Sequence, residues 1–222
     1  MKLYQIMWQG IIFDFDGVIV DTELDKFRVV RQALKKYKQE LKTEDLKDFI
    51  GKRTSFFLRE KFSEMPESII EQVISYRRAR QQHYASKTSK NKLIPGIKEL
   101  LVFLKNKQYN IAIATGSDYD FVKRILKINN LSSHVDIIVS GNDYIKSKPH
   151  PACIEVTLKK MGLEKDKVIV VEDSVSGIRS AKSAGCKVLA LTTYLEKDDL
   201  SQADLVFNNH FELLEYIKEK DL

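Results

Sequence analysis

Short apolar runs that alternate with segments of helical period constrain the fold of this chain more than any other feature. From residue 95 onward, the apolar runs fall at residues 111–114, 137–139, 168–171, 188–191 and 205–207. Most are separated by stretches in which apolar residues recur every three or four positions, the period of an amphipathic helix. Such alternation predicts a parallel sheet, and apolar runs without polar alternation are typical of strands covered on both faces.

The first strand is expected at residues 11–13, and two carboxylates follow it directly. Asp14 and Asp16 are two positions apart, so in an extended backbone their side chains point to the same side. Two acids this close repel each other, and burial disfavours the charged form of both. A Mg²⁺ ion, which prefers oxygen ligands, would relieve that conflict. The pair alone is equally consistent with a solvated turn.

The segment between this strand and the later alternation has only helical patterns. Helices are predicted over residues 23–38, 42–50, 55–62 and 66–86. Asp21 or Thr22 is expected to cap the first of them. The sequence therefore predicts an α/β fold with a Rossmann-like parallel sheet and helices on both faces. Residues 1–22 and 91–222 would form this core, and residues 23–90 an inserted α-helical cap domain.

Net charge limits the ligands expected for this chain, and the cysteines bear on its cellular location. The chain has 37 Lys and Arg against 31 Asp and Glu, a net charge of +6. This mild excess favours anionic ligands such as phosphate esters, but the basic residues are too dispersed to predict a nucleic-acid partner. No apolar run is long enough to span a membrane. Cys153 and Cys186 lack metal-type spacing, so reduced thiols and a cytoplasmic location are expected.

Polar residues collect where the predicted strands end, which is where ligands bind in open parallel sheets. These residues are Asp14, Asp16, Thr115, Gly116, Ser117, Glu172 and Asp173, with Lys148 in a loop nearby. Taken singly, Thr115, Ser117 and Asp173 can cap the helices that follow, and Lys148 can be a surface lysine. Together they supply the carboxylates, hydroxyl, backbone N–H groups and ammonium that hold Mg²⁺ and a phosphoryl group.

Four motifs, in order, resemble those of the haloacid dehalogenase-like hydrolase superfamily, in its branch with a small helical cap. They are Asp14-Phe15-Asp16-Gly17-Val18-Ile19-Val20-Asp21-Thr22, Thr115-Gly116-Ser117, Lys148-Pro149-His150-Pro151 and Val171-Glu172-Asp173-Ser174. The resemblance covers nearly the whole chain and is strongest to phosphoglycolate phosphatases, other small-sugar phosphatases and β-phosphoglucomutases. A lone Asp-x-Asp is weak, but four ordered motifs around a helical insert are specific.

The resemblance implies a Mg²⁺-dependent phosphatase that hydrolyses a small phosphorylated metabolite, of the sugar phosphate or phosphoglycolate type, through an aspartyl-phosphate. Asp14 would be the nucleophile, and Asp16 the general acid and then the general base. Asp14, the backbone carbonyl of Asp16 and Asp173 would hold Mg²⁺, with Glu172 assisting. Retention of Asp16, Glu172 and Asp173 favours phosphoryl transfer over dehalogenation.

Thr115 and Lys148 would bind the phosphoryl oxygens, together with N–H groups near Gly116 and Ser117. The polar loop at residues 51–54 lies where relatives place substrate contacts.

At two positions the chain departs from the pattern of the β-phosphoglucomutases, and both bear on whether it is a phosphatase or a mutase. Lys26 stands where β-phosphoglucomutases have a His that restrains the acid–base aspartate, and Thr54 replaces a phosphate-binding Arg, although Lys52 or Arg53 can serve instead. Both weaken the mutase alternative. A non-catalytic binding protein on the same fold is a further alternative, which the complete set of acids disfavours. A monomer or weak homodimer is expected.

Overall fold

Six parallel strands form one sheet in the computed structural model, which describes residues 8–87 and 92–220 and, for residues 81–87, the backbone alone. The strands are β1 Gly10–Phe13, β2 Asn110–Ala114, β3 Ile137–Val139, β4 Val168–Glu172, β5 Lys187–Leu191 and β6 Leu205–Phe207. Their order is β3-β2-β1-β4-β5-β6. The strand β1 therefore lies between β2 and β4, and Phe13 is level with Ile113 and Val171.

Helices cover both faces of the sheet, as the apolar strands predicted. They are α5 Ile97–Asn106, α6 Tyr119–Ile128, α7 Ala152–Met161, α8 Val175–Ser183 and α9 His210–Lys220. Because successive strand residues point to opposite faces, Ile11 and Phe13 pack with α5, α6 and α9, whereas Ile12 packs with α7 and α8. The predicted fold class, an α/β fold with a Rossmann-like parallel sheet, is confirmed.

Residues 23–87, which we call the helical insert, hold four helices. These are α1 Glu23–Lys35, α2 Leu46–Phe49, α3 Thr54–Lys61 and α4 Glu67–Lys87. Phe27, Phe49 and Phe57 form edge-to-face pairs at the centre of a separate apolar cluster, with ring centroids 5.4 and 5.1 Å apart. The insert thus has its own small core.

The predicted helix over residues 42–50 is wrong in its first half. Thr43–Asp45 form a tight 3₁₀ turn, and the α-helix α2 begins only at Leu46. The Asp45 carboxylate accepts the Lys42 N–H at 2.8 Å and also pairs with Lys61 of α3 at 2.6 Å. These contacts hold the tight turn against α3.

The chain leaves the core for the helical insert and returns through adjacent segments. The N–H of Asp21 donates to the carbonyl of Lys92 at 2.7 Å, and the N–H of Ile94 donates to the carbonyl of Ile19 at 2.9 Å. The two connections therefore form a short antiparallel pair at the edge of the core. Within the described residues, no helix is long and apolar enough to cross a bilayer.

His210 anchors the loop that follows the Asp14–Asp16 pair. It begins α9, is fully buried, and its Nε2 lies 2.7 Å from the carbonyl oxygen of Val18. A protonated imidazole there would bury a charge, so burial lowers the pKa of His210 to about 4 although the Val18 contact opposes this. The neutral ring donates from Nε2.

We expect His210 to make the fold acid-sensitive. Between its ordinary pKa of 6.5 and its folded pKa of about 4, the unfolded chain binds a proton that the folded chain refuses. The free energy of unfolding should therefore fall by about 2 kcal/mol from this group between about pH 7.5 and pH 5. Urea unfolding of wild type and His210→Gln measures it. The variant should lose that share of the pH dependence, and equal slopes for the two proteins would contradict the assignment.

Candidate active site

The carboxyl ends of β1, β2 and β4 bring the predicted site residues together. The N–H of Asp14 donates to the carbonyl of Val171 at 2.9 Å, and the N–H of Thr115 to that of Val139 at 2.9 Å. Both residues thus continue the strand ladders by one step, and their side chains point out of the sheet edge. Asp14, Asp16 and Thr115 are all buried, so the solvated-turn alternative is wrong.

Lys148 joins all three of these strand ends. Its ammonium lies 2.6 Å from Asp14 Oδ1 and 2.5 Å from Glu172 Oε1, and it donates to the carbonyl of Ala114 at 3.2 Å. The side chain is only 4% exposed, so its interpretation as a surface lysine is wrong. Burial alone would lower the pKa of Lys148, but Asp14 and Glu172 outweigh burial and raise it well above its usual value.

Asp14, Glu172 and Asp173 form a buried cluster of carboxylates. One oxygen from each lies within 4.8 Å of the others. Burial, followed by the negative charges of Asp14 and Glu172, raises the pKa of Asp173 well above its usual range. Burial also raises the pKa of Asp14 to about 7; Glu172 and Asp16 add to the rise, while Lys148 opposes it. The ionised cluster is therefore too negative to be stable by itself.

A divalent cation fits this cluster in charge and in chemistry. Three carboxylates face one ammonium, which leaves two negative charges uncompensated. Neither carboxylate oxygen of Asp173 makes a hydrogen bond to any described residue, although both are buried. Buried charges are normally paired or bound to metal, and oxygen-only ligands suit hard cations. The three acids could hold such an ion.

Two glycines leave room for the acids. At Gly17, where φ is +86°, an added Cβ would overlap the carboxylate of Asp173, and at Gly177 one would overlap that of Glu172. Glu172 is fixed further by the Asp173 N–H at 3.2 Å and the Ser174 hydroxyl at 3.1 Å. Close backbone approach is therefore what allows these acids to lie together.

Asp16 has a different environment from Asp14, although it is only two residues away. Ser117 Oγ donates to Asp16 Oδ2 at 2.5 Å, Thr22 donates to Asp16 Oδ1, and Lys26 Nζ lies 3.0 Å from Asp16 Oδ2. Burial would raise the pKa of Asp16, but Lys26 and the hydrogen bonds from Ser117 and Thr22 outweigh burial and lower it. This structure thus favours the ionised form of Asp16.

The same contacts correct the predicted cap of α1. Asp21 or Thr22 was the predicted cap; Thr22 occupies the N-cap position, but no side chain caps the helix, and the Thr22 hydroxyl donates to Asp16 of the preceding loop. The helices α6 and α8, which follow two of the other strand ends, also differ in their caps. No side chain caps α6, and Thr115 Oγ1 accepts the N–H of Ser117 at 3.0 Å within the turn before it. Ser174 caps α8, because its hydroxyl oxygen accepts the N–H of Gly177 at 3.0 Å.

The helical insert covers the strand ends and leaves only a small cavity between them, of about 30 Å³. A single water needs roughly 10–15 Å³, so the cavity has room for only about two waters. Its lining combines core and insert residues: Asp14, Asp16, Glu23, Lys26, Gly51, Lys52, Arg53, Thr54, Arg77, Thr115, Gly116 and Ser117. The loop at residues 51–54 therefore faces the same cavity as Asp14.

Lys52 and Arg53 both reach the cavity, with different partners. Lys52 Nζ pairs with Asp48 at 2.6 Å and Glu60 at 2.9 Å, so carboxylates of the insert already balance its charge. Arg53 crosses to the core, where its Nη2 donates to the carbonyls of Gly141 at 2.6 Å and Tyr144 at 3.1 Å. Its Nε is buried and has no hydrogen-bond partner among the described residues.

Three residues at the site have no motif that would identify them. Glu23 and Arg77 reach the cavity from α1 and α4, and the hydroxyl of Tyr144 donates to the carbonyl of Thr115 at 3.0 Å. Glu23 is buried and pairs with Lys26 at 2.9 Å. The one available signal was an i, i+3 acid–base pair at the start of a helix, which is usually a surface feature.

Comparison with known proteins decides the family. The family model described as haloacid dehalogenase-like hydrolase matches residues 11–191 of this chain. The chain belongs to the haloacid dehalogenase-like hydrolases. The predicted resemblance is therefore confirmed.

The relatives of this hydrolase include named phosphatases. A phosphoglycolate phosphatase of Aquifex aeolicus is 30% identical over 84% of this chain and 86% of its own length. A phosphorylated carbohydrates phosphatase of Thermotoga maritima is 29% identical, over 80% and 82%. A β-phosphoglucomutase from Clostridium difficile has the same fold, with a TM-score of 0.85, 24% identity and 97% of each chain covered. With the family, the relatives confirm the predicted enzyme class, a phosphatase.

We expect Gly17→Ala to weaken the binding of a divalent cation by the acidic cluster. Its Cβ would push the Asp173 carboxylate out of the cluster, so we expect affinity for Mg²⁺ or Mn²⁺ to fall at least about tenfold. Gly162→Ala is the matched control, because Gly162 also has a positive φ, of +66°, but an added Cβ meets nothing within 4 Å. Titration calorimetry of both variants measures the change. Equal affinities would contradict the assignment of the cluster as a cation site.

Proposed function

We propose that this hydrolase is a Mg²⁺-dependent phosphatase that hydrolyses a small phosphorylated metabolite through an aspartyl-phosphate. The observation that carries the proposal is the position of Asp14. Among the described residues, it is the one carboxylate that belongs to the buried acidic cluster, contacts Lys148 and lines the cavity. A carboxylate there can bind a cation and face a phosphoryl group at once.

In the first step, an oxygen of Asp14 attacks phosphorus and the ester P–O bond breaks. The leaving alkoxide takes a proton from Asp16, and the alcohol product departs. In the second step, water attacks phosphorus, gives its proton to Asp16 and releases Asp14 as a carboxylate with inorganic phosphate. When bound by Asp14, Asp173, Glu172 and the Asp16 carbonyl, Mg²⁺ supplies positive charge that offsets repulsion between the carboxylate nucleophile and the phosphoryl oxygens.

The contacts of Asp16 match the second of these steps. Lys26, Ser117 and Thr22 hold it ionised, which is the form that accepts a proton from water. To act as an acid in the first step, Asp16 must be protonated. Lys26 and Thr22 stand at the start of the helical insert, so movement of the insert would change two of its three partners.

Thr115 and Lys148 would bind the transferring phosphoryl oxygens. Lys148 holds the ammonium 2.6 Å from the nucleophile, and the N–H groups of Gly116 and Ser117 begin the turn before α6. Lys52 and Arg53 are the predicted substrate contacts on the insert. Both line the cavity, and their contacts with substrate stay predictions.

We further propose that the helical insert acts as a cap that opens to admit substrate. A cavity of about 30 Å³ is too small for a phosphate ester. The insert has a separate core and joins the rest of the chain through one pair of adjacent segments, which suits rigid-body movement. The cytoplasmic location and the oligomeric state stay predictions.

The names of the relatives support small phosphate esters as substrates, since they specify phosphoglycolate and phosphorylated carbohydrates. A phosphosugar mutase is the second candidate, favoured by the fold of the β-phosphoglucomutase. The pairing of Lys26 with Asp16 and Thr54 in place of an Arg weigh against it. A non-catalytic protein would not need the buried, uncompensated acids.

Asp14→Asn should abolish ester hydrolysis, because an amide cannot attack phosphorus as a carboxylate does. We expect a loss of at least about 10³-fold in phosphate release. Asp21→Asn, at the exposed carboxylate at the end of the same loop, is the matched control and should retain most activity. A near-wild-type rate for Asp14→Asn would show that Asp14 is not the nucleophile.

Removal of metal should also abolish hydrolysis. After treatment with a chelator and desalting, the unbalanced charges of the acidic cluster would repel a phosphate dianion. Mg²⁺ is expected to restore the rate, and Ca²⁺, which needs more ligands at longer distances, to restore far less. The measurement is phosphate release before and after each addition. Full activity in excess chelator would rule out the metal requirement.

One panel separates the candidate functions. Phosphoglycolate, sugar phosphates and p-nitrophenyl phosphate are incubated with the enzyme and Mg²⁺, and both free phosphate and hexose phosphate isomers are measured. Release of phosphate supports the phosphatase, and interconversion of hexose phosphates without release supports the mutase. A folded protein that is inactive on every ester would favour the non-catalytic alternative.

A further inference from the structure

The loop between β3 and α7 supports the turn proposed to bind the phosphoryl group. The N–H of Gly141 donates to the carbonyl of Ser117 at 2.9 Å, and the hydroxyl of Tyr144 donates to the carbonyl of Thr115 at 3.0 Å. The loop therefore binds the carbonyls of Thr115 and Ser117, at the two ends of residues 115–117, which we call the phosphoryl turn. We call residues 140–144 the support loop.

Arg53 of the helical insert in turn holds the support loop. Its Nη2 donates to the carbonyls of Gly141 and Tyr144, at 2.6 and 3.1 Å, and its guanidinium lies 4.1 Å from the centre of the Tyr144 ring. The side chain thus contacts both residues through which the loop reaches the turn. Only an arginine offers a planar fork that can donate to carbonyls while it stacks on an aromatic ring.

The turn, the support loop and Arg53 are closely packed. A Cβ added at Gly141 would lie 2.6 Å from the Gly116 carbonyl oxygen, and one added at Gly116 would lie 3.0 Å from Arg53 Cγ. Neither glycine can therefore take a side chain without displacing its neighbour.

We propose that Arg53 is a positioning residue that makes the shape of the phosphoryl turn depend on docking of the helical insert. With the insert docked, Arg53 fixes Gly141 and Tyr144, and these fix Ser117 and Thr115. With the insert away, the support loop loses three contacts, and the turn loses its restraint. This inference rests on the proposed phosphatase function, and it assigns Arg53 a role that does not require contact with substrate.

Arg53→Lys tests the proposal, because lysine keeps the charge but loses the fork and the stacking. We expect kcat to fall about 10- to 100-fold, as is typical of a small misplacement of a catalytic group, with less than about threefold change in KM. The loss should be equal for p-nitrophenyl phosphate and phosphoglycolate, since only the latter has a second anionic group. Arg59→Lys is the matched control on α3, the helix that follows Arg53, where Arg59 pairs with Glu67 and Glu71 of α4.

Tyr144→Phe and the double variant show whether the effect passes through the support loop. If Arg53 acts through Tyr144, the double variant should be no slower than the slower single variant, because both changes release the same turn. If the double variant loses activity by the product of the two single losses, Arg53 does not act through Tyr144. A rise in KM confined to phosphoglycolate, with kcat unchanged, would mean that Arg53 binds the substrate's second anion, and it would overturn the proposal.

Hydrogen exchange gives a readout that does not depend on catalysis. Peptides that cover residues 140–144 should exchange at least about tenfold faster in Arg53→Lys than in wild type or Arg59→Lys. Unchanged exchange would overturn the proposal even if activity fell. If wild type hydrolyses no ester at all, the proposed function fails, whereas the exchange measurement still tests whether Arg53 holds the support loop.

Discussion

A single ammonium group between two buried carboxylates is the interaction on which the site depends. Lys148 bridges Asp14, after β1, and Glu172, at the end of β4, and it also binds the carbonyl of Ala114 on β2. It therefore ties together the three central strands where they end. Without that positive charge, three buried and ionised carboxylates would cost far more than the sheet edge could offset. One positive charge is too little to balance three negative charges, and a divalent cation could supply the rest.

The two aspartates of the first motif have opposed electrostatic environments, which suits the different roles that we propose for them. Burial and neighbouring acids push the pKa of Asp14 upward, while Lys26 and the hydroxyls of Ser117 and Thr22 overcome burial at Asp16 and move its pKa downward. Pairs of carboxyl groups with opposed environments are typical of sites that divide nucleophilic and proton-transfer roles. Here the core surrounds Asp14, whereas two partners of Asp16 are Lys26 of the helical insert and Thr22 directly before it.

Most of the fold followed from the sequence because its signals are local. The apolar strands and the helical periods lie within single segments, and the order of a parallel sheet places Asp14, Thr115 and Asp173 at one edge. The failures have a common cause in contacts between distant segments. Asp21 or Thr22 was expected to cap α1, but neither side chain does so, and the Thr22 hydroxyl donates a hydrogen bond to Asp16. The tight turn before α2 depends on Asp45, which binds Lys61 of another helix.

The contribution of the helical insert to the site was harder to predict for the same reason. Glu23 and Arg77 look like ordinary charged residues of amphipathic helices, and only docking shows that they face Asp16. Tyr144 and His210 gave no signal either, because each acts by binding a backbone carbonyl, of Thr115 and of Val18. A backbone partner leaves no trace in the pattern of side chains.

The adjacent entry and exit of the helical insert have a consequence for how such enzymes diversify. Backbone hydrogen bonds join Asp21 to Lys92 and Ile19 to Ile94. The whole insert is therefore equivalent to one long loop of the core, closed at its base. The cost of closing a loop rises only slowly with its length, and the insert has its own apolar centre. Recombination at this base could therefore exchange one insert for another while the sheet, the acids and Lys148 remain. A new specificity would then need no change in the chemistry beneath it.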